Sequence, residues 1–173
     1  ATSIFGVENL IFLYYDVPEL FERFSKTILR VIKTYIEVST EEAGYTMETA
    51  PHGFSFADDD CNLLTPQMYE VFGYPILKEV FAMCSPNPED NRYQHSDSAM
   101  AHLIPILARL NLTGCNFGPT VTVEEIRKYM PNTRIDGQLA PFTFMRNNED
   151  DIIAEVKRDC DMIRATGTRG LNI

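Results

Sequence analysis

The sequence lacks any Cys-x-x-Cys pair: its four cysteines, Cys61, Cys84, Cys115 and Cys160, lie 23, 31 and 45 residues apart. That spacing is too wide for a small disulfide framework, and reduced thiols in the cytoplasm are expected. A basic patch is missing too. Lys+Arg number 15 against 25 Asp+Glu, for a net charge of −10 and a pI near 4.7. The longest basic clusters are pairs such as Arg127-Lys128 and Lys157-Arg158, so no nucleic-acid partner is expected. No apolar run approaches the roughly 20 residues of a membrane helix, the longest lying around Leu10–Leu13, and no membrane partner is expected. The amino terminus, ATSIFGVENL, has neither an initiator Met nor a basic signal-peptide segment and reads as starting within a longer pattern. Phosphate-cradling G-x-G-x-x-G and Walker sequences are absent, as is the G-x-S-x-G elbow, which weakens nucleotide, kinase and serine-hydrolase readings.

What is there is ordinary globular material. The 173 residues, 45% hydrophobic and 23% charged, suffice for a single α/β domain with a real core. Thr2–Gly6 reads as a short strand. Asp16-Val-Pro18 opens a long helix, with Asp16 as the capping residue; Leu20, Phe21, Phe24, Ile28, Val31, Ile32 and Tyr35 share one face at 3- and 4-residue steps, and the helix ends near Gly44. Gly53–Ala57 is a second strand, followed by the triple acid Asp58-Asp59-Asp60. Thr65-Pro66 caps the next helix, which Pro75 should kink or divide. Arg92–His95 is a third strand, followed by a helix through Met100, Leu103, Ile104, Leu107 and Leu110. Leu112–Asn116 is a fourth strand, and Thr122-Val-Glu-Glu125 is a capping box. Thr133–Asp136, a helix from the Asn148 region and a sixth strand over Gly170–Ile173 complete the chain.

Strands alternating with helices predict parallel (β/α) units. Two architectures fit: an open doubly wound sheet, complete at this size, and an incomplete (β/α)8 barrel, since a whole barrel takes about 250 residues. Ending on a strand favours the fragment. A partial barrel exposes sheet edges and helix faces, so a homodimer or association with missing segments is expected.

In parallel α/β folds, chemistry sits where strands end and helices begin. Those positions hold Asp58, Asp59 and Asp60, then His95, Ser96 and Asp97, then Cys115 and Asn116, then Asp136 and Gln138. Adjacent carboxylates raise one another's pKa and can serve as an acid/base pair, bind a hard cation, or merely cap a helix. His95-Ser-Asp97 can aim two donors into one cleft, as metal ligands or as a histidine oriented by a carboxylate. Cys115 reads as a small buried hydrophobe, and His52 and His102 as surface or packing residues.

Three segments carry a resemblance. FADDDCNLLTPQMYEVFGYPILKEVF (56–81), HSDSAMAHLIPILARLNLTGCN (95–116) and RIDGQLAPFTFMRNNEDDIIAEVKRD (134–159) resemble consecutive motifs of the uroporphyrinogen decarboxylase superfamily, which includes cobalamin-dependent methyltransferases. The resemblance implies a (β/α)8 barrel of which this chain carries the central and C-terminal part. In the decarboxylases, it implies a cofactor-free reaction on an acidic tetrapyrrole. In the methyltransferases, it implies zinc that activates a thiol acceptor and a methyl group supplied by a corrinoid protein. His95 matches the histidine of the methyltransferases' H-x-C zinc motif, with Asp97 in place of the cysteine, and Asp59 stands where the decarboxylases end a strand in serine. On this resemblance Asp59, His95 and Asp97 are the catalytic candidates. His95 and Asp97 are metal ligands, and Asp58, Asp60, Asn116 and Gln138 contact a small-molecule substrate. The acidic run would repel a polycarboxylate, which favours the methyltransferase branch. Decarboxylation of a porphyrinogen is the alternative, and a noncatalytic α/β binding domain is a third.

Overall fold

The computed structural model describes residues 2–166 and 171–172. Their contacts group them in two compact units, the first reaching to Phe54 and resuming over Leu63–Asp90, the second comprising Ser55–Asn62 and the described residues from Asn91 onward.

The first unit is helical. It holds α1 (Thr2–Phe5), α2 (Val7–Asp16), α3 (Pro18–Glu42), α4 (Pro66–Val71) and α5 (Gly73–Cys84). The strand expected at Thr2–Gly6 is therefore a helical turn. A four-residue apolar run carries no period that separates strand from helix, and Gly6, at φ 84°, breaks α1 from α2. Asp16 is the last residue of α2 and not a cap: Val17 takes the cap position of α3 without a side-chain bond, and Pro18 opens the helix.

The buried stripe of α3 also differs from expectation. Phe21 and Ser25 are buried, whereas Leu20, Val31 and Tyr35 are exposed. A buried serine is tolerated because Ser25 Oγ donates to the Phe72 carbonyl at 2.8 Å, at the break between α4 and α5. Phe72 itself stacks against Phe21 and Phe24, with ring centroids 5.0 and 5.7 Å away. The division expected at Pro75 occurs at Phe72–Gly73, which leaves Pro75 in the first turn of α5, where a proline costs no hydrogen bond. Thr65 caps α4 as expected, its hydroxyl accepting the Met68 N–H at 3.2 Å.

The second unit carries the sheet. Strands β1 (Phe54–Ala57, of which Ser55–Ala57 lie in this unit), β2 (Arg92–Ser96), β3 (Gly114–Phe117), β4 (Arg134–Asp136) and β5 (Leu171–Asn172) are ordered β1-β2-β3-β4-β5. β2/β3, β3/β4 and β4/β5 are parallel. Of the expected sixth strand, Gly170 and Ile173 lie outside the described residues. The connections carry α6 (Ile104–Leu107) between two short 3-10 turns, then α7 (Val123–Tyr129), α8 (Pro141–Arg146) and α9 (Glu149–Thr166). The capping box of α7 forms as read: the Thr122 hydroxyl accepts the Glu125 N–H, and the Thr122 N–H donates to the Glu125 carboxylate.

Sequence order equals spatial order throughout this sheet. A doubly wound sheet reverses its order at a switch point; this one does not, which is the winding of a (β/α) barrel segment. Strand alternation then sorts the side chains. Gln94, Ser96, Cys115, Phe117 and Ile135 fall on one face and are fully buried, within a core that includes Met100, Leu103, Leu107, Val123 and Ile126. Tyr93, His95, Gly114, Asn116, Arg134 and Asp136 fall on the other, where the registers pair Tyr93 with Gly114, Gly114 with Arg134, and His95 with Asn116.

Candidate functional site

The polar residues named above gather at the C-terminal ends of β1 to β4. After β1 the chain passes through Asp58 and Asp59 into a 3-10 turn that starts at Asp60. The Asp58 N–H donates to the His95 carbonyl at 3.1 Å. Asp59 then grips the loop after β2 at two points: its Oδ1 accepts the Asp97 N–H at 2.8 Å, and its carbonyl accepts the Ser98 hydroxyl at 2.5 Å. Ser98 Oγ also bonds Ser96 Oγ at 2.7 Å. The first two acids of the triple run therefore act as a clamp on the His95–Ser98 segment.

Within that clamp His95 Nε2 stands 3.8 Å from Asp97 Oδ2, and the two side chains are 37% and 46% exposed. The separation is that of two donors on one edge of a metal's coordination sphere, and also of a weak ion pair. A catalytic zinc takes three protein ligands. Among the described residues no group of three or more His, Cys, Asp or Glu side chains is placed to hold a metal. His95 and Asp97 thus fit one edge of a zinc site, which the described residues do not complete.

The remaining candidates divide. Burial raises the Asp58 carboxyl to about 6, and the neighbouring Asp60 charge pushes it the same way. Asn116, half-buried, donates its amide to the Asp136 carbonyl. Gly137 sits beside it at φ 72°, where a Cβ would run into the Asn116 amide. Gln138 is fully buried; its Nε2 donates to the Val121 carbonyl at 2.5 Å and its backbone is left-handed at φ 102°. Its side chain serves the β3–α7 connection. Cys61 and Cys115 are buried, and burial pushes both thiols up to about 12, so neither is a thiolate at neutral pH.

Two residues on the half-exposed face escape the sequence reading, Tyr93 and Arg134. Their signal was the period of two, which places Tyr93 with His95, and Arg134 with Asp136. Arg134 grips Asp136 through Nε and Nη2, at 2.9 and 2.8 Å, and its guanidinium carbon lies 6.0 Å from the Tyr93 ring centroid. Burial, then the Asp136 charge, raises the Tyr93 phenol.

A family model described as uroporphyrinogen decarboxylase (URO-D) matches residues 1–170. The chain belongs to the URO-D family. A solved structure of the same fold, a methyltransferase from Methanosarcina mazei, superposes with a TM-score of 0.70 at 16% identity, over 96% of this chain. The match covers 47% of that methyltransferase, so this URO-D chain spans about half its length. No curated protein sequence matches the chain. Among the described residues no helix is long and apolar enough to cross a membrane.

Proposed function

We propose that this URO-D chain belongs to a methyl-transfer enzyme in which His95 and Asp97 hold zinc, the acceptor is a thiol or similar small molecule, and a corrinoid protein supplies the methyl group. The observation that carries the reading is the His95–Asp97 pair, 3.8 Å apart at the end of β2, on a loop fixed from the neighbouring strand by Asp59. Zinc, when bound, would lower the pKa of an acceptor thiol. Asp59 is a positioning residue, because both of its contacts are to the loop that carries Asp97. Asp58, with its carboxyl near 6, is the base suited to accept a thiol proton near neutral pH. Asn116, paired with His95 in the β2/β3 register, and Asp60, at the start of the 3-10 turn after β1, would contact the substrate.

Metal analysis of the full-length protein tests this. Near-stoichiometric zinc is expected in the wild type. His95→Ala and Asp97→Ala should each lose at least tenfold in zinc affinity, and Asp97→Cys should retain it. A full-length protein free of zinc removes the reading. The URO-D description supports a second reading, decarboxylation of a porphyrinogen, and carbon dioxide release by metal-free protein would decide for it. The acidic run at Asp58–Asp60 opposes the binding of such a polycarboxylate.

A further inference from the structure

We propose that Arg134 anchors a carboxylate group of the substrate, on the half-exposed face of the sheet one residue layer below His95 and Asn116. The inference rests on the methyl-transfer reading for the identity of the reacting end, and adds that the acceptor carries a single carboxylate.

A guanidinium has five N–H donors in a planar fork. Arg134 uses its Nε–H and one Nη2–H on Asp136, the side-on arrangement. Both Nη1 hydrogens and the second Nη2 hydrogen have no partner among the described residues. One hydrogen from each of Nη1 and Nη2 runs parallel, which is the end-on edge that takes the two oxygens of a carboxylate. The Arg134 side chain is 49% exposed and the Asp136 side chain 20%, so the free edge is accessible while the bonded edge is largely covered.

The fork is also held in place. Asp136 fixes one edge, and the Tyr93 ring lies beside the guanidinium plane. Gly114 makes the space for both: a Cβ there would fall 2.9 Å from Tyr93 Cδ2 and 3.2 Å from Arg134 Nη2. An arginine fixed in this way loses less side-chain entropy on binding than a free surface arginine. Asp136 cancels much of the long-range positive charge. What remains is directional hydrogen bonding, which suits one planar carboxylate and gives no general attraction for polyanions. The acidic run at Asp58–Asp60 excludes the same polyanions from the same end of the sheet.

The layering adds a geometric consequence. Arg134 pairs with Gly114, and Gly114 with Tyr93, while Asn116 pairs with His95. A small acceptor with its carboxylate on Arg134 would extend toward the strand ends and bring its other end to the His95–Asp97 level.

The test uses propionate and its neutral isostere propionamide, titrated into the full-length protein and its variants and followed by isothermal titration calorimetry. Propionate should bind saturably to the wild type and to His95→Ala with the same affinity. Arg134→Gln should weaken it at least tenfold, and Arg134→Lys, which keeps the charge without the fork, should weaken it severalfold. Propionamide should not compete. The proposal is overturned if propionate does not saturate the wild type, if Arg134→Lys binds as well as the wild type, or if propionamide binds equally. Propionate binding without zinc would remove the methyl-transfer reading and leave the carboxylate anchor standing; zinc without a propionate response would do the reverse.

Discussion

Asp58 is the residue whose environment most changes its chemistry. Its carboxyl rises from 3.8 to about 6, first through burial and then through the Asp60 charge. A carboxyl raised in the folded state binds its proton more tightly there than in the unfolded chain. The Asp58 contribution to folding stability is therefore most favourable below pH 4, falls as pH climbs from about 4 to 6, and stays at the lower value above that. Partial exposure screens the effect, so the loss is on the order of 1–2 kcal/mol. Asp58→Asn should remove that slope and raise stability by a similar amount at pH 7–8, measured by urea unfolding across pH. A stability difference between Asp58→Asn and the wild type that does not grow from pH 4 to 6 would contradict the burial argument. The same substitution should lower turnover if Asp58 takes the acceptor's proton, a trade of stability against activity common in catalytic sites.

The strand–loop elements show what one sequence exposes to reading. β1 to β4 and the Thr122–Glu125 capping box were legible because each has a local signature: β-rich runs closed by polar residues, and a hydroxyl three residues before a glutamate. His95, Asp97, Asn116 and the acid run were legible by position, at the ends of those strands. Thr2–Phe5 misread because four residues carry no period, and Val31 and Tyr35 because an apolar spacing gives a face without saying which part of it is covered. α8 has no legible signature because the six residues Pro141–Arg146 have too little pattern. Arg134 and Tyr93 lie at the N-terminal ends of β4 and β2, away from the strand ends that carry chemistry, and read as scaffold until register places them beside Asp136 and Gly114.

The β4–α8 junction shows the same dependence on register. Gly137 has φ 72° and a Cβ would meet Asn116 Nδ2, so Gly137→Ala carries both backbone strain and a clash. A cost of about 1–3 kcal/mol is expected, with loss of the Asn116 bond to the Asp136 carbonyl visible as faster amide exchange at the end of β3. An alanine variant as stable as the wild type would show that this turn relaxes freely.

At the scale of the whole molecule, charge is the term that the fold leaves unbalanced. The net charge is −10, and exposed ion pairs such as Lys26–Glu22 and Arg164–Asp161 contribute little individually. Repulsion among the excess acids is therefore the larger surface term. Some of it is badly placed: α3 ends on Glu41 and Glu42 with no basic residue in its last turn, so two carboxylates face the negative end of the helix dipole. Salt shortens the Debye length from about 30 Å at 0.01 M to about 10 Å at 0.1 M and relieves this repulsion. Stability should rise by on the order of 1 kcal/mol between 10 and 300 mM NaCl, about 2–4 °C in melting midpoint. Glu41→Lys with Glu42→Lys cuts the net negative charge by four, from −10 to −6, and reverses the sign at the helix end. The pair should stabilise the protein at low salt by about 0.5–1.5 kcal/mol and flatten its salt dependence. A midpoint that falls with salt in the wild type would mean that attractive pairs dominate the surface, and the lysine pair would then be neutral or destabilising.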